Sequence, residues 1–171
     1  PLSGGIGAKQ TAAKQEWFNR AVGETFDAAN DKLTPQVLDT AKKKMGAEFD
    51  RIWGSNALNV DNTMLQSMSQ ARKNASMLPK AERTRVMSVI DDLENQVIPG
   101  PNGQMVIPGD VANRYQSKIR EIADSATGFL KNDMTALRKD IISAFNRSVS
   151  PEDAAALALN QSKYKAFKTV E

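Results

Sequence analysis

Three carboxylates stand within four positions at Asp91, Asp92 and Glu94. Paired carboxylates do general acid and base work or hold a hard cation. Either task needs a second group, and the neighbouring sequence supplies none, so the cluster reads as a solvated helix face. Lys42, Lys43 and Lys44 form a short basic run largely opposite an apolar stripe. They too read as a solvated face, with a weak phosphate contact as the alternative. Asp61-Asn62-Thr63 lacks the remaining ligands and the glycine of a calcium loop. The chain contains no Cys and no His. That removes thiol nucleophiles, Ser-His triads, disulfides and zinc sites built from Cys or His. Neither a phosphate-cradling loop ending in Lys-Ser or Lys-Thr nor a G-x-G-x-x-G is present, nor a G-x-S-x-G elbow. The 20 acidic residues show no spacing that marks a glycosidase pair. These residues predict no catalytic, cofactor or metal site, and a protein that is not an enzyme.

The charge balance points the same way. The net charge is +3 over 171 residues, with a pI near 9.2. No quarter of the chain is strongly basic: the richest, residues 110–149, carries seven basic against five acidic residues. A dedicated nucleic-acid groove concentrates its Lys and Arg. No apolar run approaches the roughly 18 residues of a membrane span. The start, PLSGGIGAKQ, is small and polar and has no initiator Met, and the end, KAFKTVE, stops on a helical pattern. Both suggest a fragment of a longer chain.

The elements that would position any contact are helical. Residues 1–10 read as a flexible lead and 11–171 as a single helical domain. Thr11–Asn30 carries Phe18, Val22, Phe26 and Ala29 at helical steps, with Gly23 inside the pattern at a point of close packing. Thr34 and Pro35 form a helix start, a capping side chain followed by a residue that needs no N–H bond. The helix they open runs to about Trp53. A third helix, about Asn62 to Leu78, is capped by Asp61 or Thr63. Its Met64, Met68, Ala71 and Ala75 form a narrow seam, which is either core or, given the adaptability of methionine, a partner surface. A fourth runs from Pro79 to about Gln96. From Pro108 to Arg147 the apolar residues again step by threes and fours. If unbroken, that helix has about 38 residues and spans about 57 Å. Ser125–Gly128 and Asn132-Asp133 are its weak points, where a kink or break is the alternative. Ser150-Pro151-Glu152-Asp153 opens the last helix.

One feature is not helical. Residues 97–107 carry β-branched and apolar arms around Asn102-Gly103, two residues that accept positive φ, and therefore predict a short hairpin. Ile-Pro-Gly occurs on both arms, and the prolines keep the ribbon short. The hairpin is either a rigid connector or a protruding contact element. The fold class predicted is all-α: an elongated bundle of about six helices with one short β-hairpin insertion.

Three stretches add a resemblance: RAVGETFDAANDKLTPQVLDTAKKKMGAEFDRIW at 20–53, RYQSKIREIADSA at 114–126 and SPEDAAALALNQSKYKAFKTVE at 150–171. Together they resemble a helical region of large virion proteins of tailed bacteriophages, particularly short-tailed ones, described as internal or DNA-ejection proteins. The resemblance implies a structural or assembly module without catalytic residues, made in the bacterial host cytoplasm and located in the virion. It implies other virion proteins, or copies of the chain itself, as partners. Contacts would fall on Met64, Met68, Ala71 and Ala75, on the hairpin tip at Asn102 and Gly103, or on both. The rival reading is a weak, non-specific DNA-binding or DNA-path-lining module that uses Lys42, Lys43 and Lys44.

Overall fold

A computed structural model describes residues 34–170. The lead expected over 1–10 and the helix expected over Thr11–Asn30, with Gly23, lie outside the described residues. Among the described residues there are six α-helices and a three-stranded antiparallel sheet. The described residues divide into two compact units. Of the described residues, one comprises 34–52 together with 152–170; the other runs from Trp53 to Pro151. The apolar stripes explain the division, because they gather into more than one buried cluster.

The described part of the first unit is a pair of helices, α1 (Pro35–Ser55, of which the unit takes residues up to Ile52) and α6 (Pro151–Val170, from Glu152). The Thr34 start is seen as expected: its Oγ1 accepts from the Val37 amide at 3.1 Å. Ala41 and Met45 of α1 and Phe167 of α6 are buried together, flanked by Val37, Leu38 and Ala166. Asn160 is buried as well. Its Nδ2 donates to the Met45 carbonyl at 2.9 Å, which satisfies a side chain that burial would otherwise penalise. Phe49 meets Tyr164 edge to face, with ring centroids 6.3 Å apart.

The second unit holds β1 (Ala57–Asn59), α2 (Asn62–Ala75), α3 (Lys80–Asn95), β2 (Ile98–Pro99), a 3₁₀ turn at Pro101–Gly103, β3 (Met105–Pro108), α4 (Gly109–Asp124) and α5 (Gly128–Ser148). The last turn of α1 belongs to it. The Trp53 indole there lies flat on the Phe145 ring, with centroids 3.6 Å apart and planes 9° from parallel. Leu58, Met64, Ile90, Leu93, Ile119, Met134, Ile141 and Phe145 itself are almost fully buried in this unit.

The long helix does not run unbroken. It splits at Ser125–Thr127 into α4 and α5, which fold back on each other as a helical hairpin. Ser125 Oγ donates to the Ile122 carbonyl at 3.2 Å, and Gly128 takes a positive φ of 62°. A straight helix of that length would leave its stripe without a partner. Folding it in half lets Ile119 and Ile122 share a core with Leu130, Met134 and Leu137.

The hairpin is one strand short of the observed sheet. The order is β1-β3-β2, with Leu58 opposite Ile107 and Asn59 and Ile98 both opposite Val106. The strand Ala57–Asn59 is only three residues long, too short for alternation to mark it.

Candidate functional site

The ribbon formed by β2, the 3₁₀ turn and β3 is the candidate contact element. Its turn is built as the sequence requires, with positive φ at Asn102 (66°) and Gly103 (75°). Pro101 joins the turn, and the Gly100 amide donates to the Gln104 carbonyl at 2.6 Å. A Cβ at position 100 would sit 2.9 Å from both that carbonyl and Val106 Cγ1, so the first Pro-Gly pair is needed for close approach. The base of the ribbon is braced by β1 and the residue after it: the Val60 amide donates to the Met105 carbonyl at 2.9 Å, and the Asn59 amide donates to Ser148 Oγ at 2.8 Å.

What the ribbon displays is side chain rather than backbone. Ile98 is 47% exposed and Met105 42%. Ile98 lies opposite Val106 and Met105 opposite Pro99, so the two exposed apolar groups project from opposite faces. Asn102, Gly103 and Gln104 at the tip are exposed. The edge strand offers no free amide donor. The Val97 amide is given to the Glu94 carbonyl, Pro99 has no amide hydrogen, and the Gly100 amide is used within the turn. Strand addition along this edge is therefore blocked, and recognition falls to Ile98, Met105 and the tip.

The seam on α2 is not a surface. Met64 is 1% exposed, Met68 3%, Ala71 9% and Ala75 0%. Of the two expected contact surfaces, this one is corrected: α2 packs on α3 and α5, and the methionines fill that core. The acidic cluster also differs from its reading. The partner that the neighbouring sequence failed to supply is Arg72, on the preceding helix. Its Nη2 lies 2.6 Å from both Asp91 Oδ1 and Glu94 Oε2, and its Nε donates to Glu94 Oε1 at 3.1 Å. Hydrogen bonds from Glu94 and then Asp91 hold the Arg72 guanidinium above its ordinary pKa. Asp91 and Glu94 thereby tie α2 to α3.

Asp61 accepts three hydrogen bonds from two partners. Its Oδ1 caps α2 by accepting from the Met64 amide at 2.8 Å. Arg147 Nε donates to Oδ2 at 3.0 Å and Nη2 to Oδ1 at 3.1 Å. The Arg147 bond holds the Asp61 carboxyl below its ordinary pKa, with the Met64 amide adding to it. Thr63 is not the cap.

Lys42, Lys43 and Lys44 are exposed, as a solvated face requires. Lys43 pairs with Asp39 at 3.0 Å. Lys44 lines a groove of about 420 Å³ within the first unit, with Glu48, Arg51, Leu159, Asn160 and Lys163 among its walls. Sequence spacing misses Arg51 and Lys163 because only the pairing of α1 with α6 brings them together. Arg51 is engaged by Glu48 at 2.7 Å and by Asp153 at 3.3 Å, so the groove is mixed in charge. No grouping of acidic side chains among the described residues is arranged to hold a metal ion. No known protein family, curated protein or solved structure matches this chain.

Proposed function

We propose that the chain is a non-enzymatic structural and assembly module of a phage virion protein of the internal or DNA-ejection kind. The virion setting rests on the resemblance carried by residues 20–53, 114–126 and 150–171. One observation supports the assembly role: a braced ribbon that holds Ile98 and Met105 in water on its two faces. A folded chain keeps large apolar side chains exposed on a rigid projection at a cost in solubility, and partner contact offsets that cost. The partners proposed are copies of the chain or other virion proteins, with no cofactor. No helix among the described residues is long and apolar enough to cross a membrane.

The test uses Ile98→Glu with Met105→Glu. Both side chains are exposed, so circular dichroism should show unchanged helix content. Sedimentation of the wild-type chain should show concentration-dependent association, and the double variant should remain monomeric. A wild-type chain that stays monomeric at high concentration rejects self-assembly through the ribbon.

The second reading, a weak DNA-binding or path-lining module, draws on the cations of the α1–α6 groove and on Lys42, Lys43 and Lys44. Lys43, Arg51, Arg72 and Arg147 already face carboxylates. Few phosphates are then neutralised at once, and affinity scales with that number. The expected electrophoretic shift on non-specific DNA is weak and is lost by about physiological salt. Tight binding in about 200 mM salt with a steep salt slope would replace the assembly reading with this one.

A further inference from the structure

One arginine in the α4–α5 hairpin is built differently from the others. Arg138 is half-buried on α5, and its Nε donates to Gln116 Oε1 at 3.0 Å. Gln116 is itself only 8% exposed. Its Nε2 donates to Asn113 Oδ1 at 2.7 Å and to Ser117 Oγ at 3.1 Å. Those two acceptors fix the orientation of the Gln116 amide, which leaves its oxygen facing Arg138. The guanidinium is thus held at one nitrogen by a side chain that cannot rotate away.

Its other two nitrogens are not used. Arg138 and Arg120 take part in no ion pair among the described residues. No buried side-chain nitrogen or oxygen among the described residues lacks a partner. The two Nη groups of Arg138, which donate to no protein atom, are therefore open to water. Arg120 lies one turn beyond Gln116 on the same face of α4, within electrostatic reach of Arg138. Asp124 is also within that reach, yet forms no ion pair with either arginine. Burial, and then Arg120, lower the Arg138 pKa from its ordinary value, while Asp124 opposes them. Two guanidiniums against one carboxylate leave an excess positive charge among the described residues.

We propose that Arg138 and Arg120 form an oxyanion site that takes a phosphate group, with Gln116 as the positioning residue. The free edge of Arg138 presents its two Nη groups in the fixed fork that matches two oxygens of a tetrahedral anion, and Arg120 supplies the second charge. A phosphate group, as a free ion or within a phosphodiester, offers the tetrahedral oxygens that this fork engages, where a planar carboxylate offers two in one plane. The site goes beyond the assembly reading and does not depend on it. The phosphate could belong to a free ion or to a nucleic-acid backbone, and these are separated below.

The test follows the Nε–Hε resonance of Arg138 in the full chain by nuclear magnetic resonance during titration with inorganic phosphate. Sodium chloride and sodium acetate at matched ionic strength serve as references. Phosphate should produce a saturable shift that acetate does not. Arg120→Gln, an exposed change that spares the fold, should weaken binding by about tenfold, the usual loss for a hydrogen bond to a charged group. Arg138→Lys keeps the charge but removes the fork, and should weaken binding by a similar factor when read from the Gln116 side-chain amide. A non-saturating drift equal for phosphate and chloride overturns the site, as does unchanged affinity in Arg120→Gln and Arg138→Lys. A short single-stranded oligonucleotide without terminal phosphate is then added to the phosphate-loaded chain. Displacement assigns the site to a nucleic-acid backbone; retention of the bound ion assigns it to a free phosphate.

Discussion

Replacing Met64 and Met68 with Glu is expected to unfold the second unit. The two positions lie one turn apart on α2 and are 1% and 3% exposed. α2 packs on α5 as well as on α3, so both new carboxylates would enter the core. The half-buried cation nearest in the sequence, Arg72, is already occupied by Asp91 and Glu94. Two buried charges without partners cost several kcal/mol each by the usual desolvation argument, against a total stability of about 5–15 kcal/mol for a domain. Circular dichroism should show the loss of most helix and of the cooperative melt. Leu65→Glu, on the same helix but 52% exposed, is the control, and it should change stability by no more than about 0.5 kcal/mol. A double variant that keeps its helix content and melting behaviour would return the methionine seam to the surface.

That experiment bears on what a sequence reveals about a seam. Methionine and alanine at alternating steps of four and three fit a core and a docking face equally well. Periodicity gives the face, while burial depends on what the fold lays over it. The helix starts were legible because caps are local: Thr34 before Pro35 and Asp61 before α2 act within three residues. The turn at Asn102-Gly103 was legible for the same reason. The strand at Ala57–Asn59 was not, because its only signature is its pairing with β3, roughly fifty residues away. The break at Ser125–Thr127 was visible only as a weak point; the choice between bend and rod lay in the matching stripes of the two halves. The chemistry followed this division too. Arg72 with Asp91 and Glu94, and Arg138 with Gln116, are separated by about twenty residues, so no spacing rule links them.

The second Pro-Gly pair gives the largest effect expected from the smallest change. Gly109 opens α4, is buried, and donates its amide to the Asn56 carbonyl at 2.9 Å. A Cβ there would fall well inside contact distance of two backbone oxygens, those of Trp53 and Asn56. Backbone oxygens cannot swing aside as a side-chain tip can. Gly109→Ala must therefore move either the start of α4 or the last turn of α1. That turn carries Trp53, whose ring lies on Phe145, and β3 ends next to Gly109 at Pro108, opposite Ala57. The shift would disturb the ring stack and the β1–β3 pairing together, and overpacking of this kind costs about 1–3 kcal/mol, or more where backbone is struck. Gly46→Ala makes the opposite case. Gly46 lies inside α1, is exposed, and a Cβ there meets nothing within 4 Å. Removing the excess freedom of a helical glycine should stabilise by about 0.5–1 kcal/mol. Thermal melts of the two single variants should move in opposite directions from the wild type. If Gly109→Ala melts at or above the wild-type temperature, the close approach of α4 to the end of α1 is wrong, and with it the placement of the sheet beside Trp53.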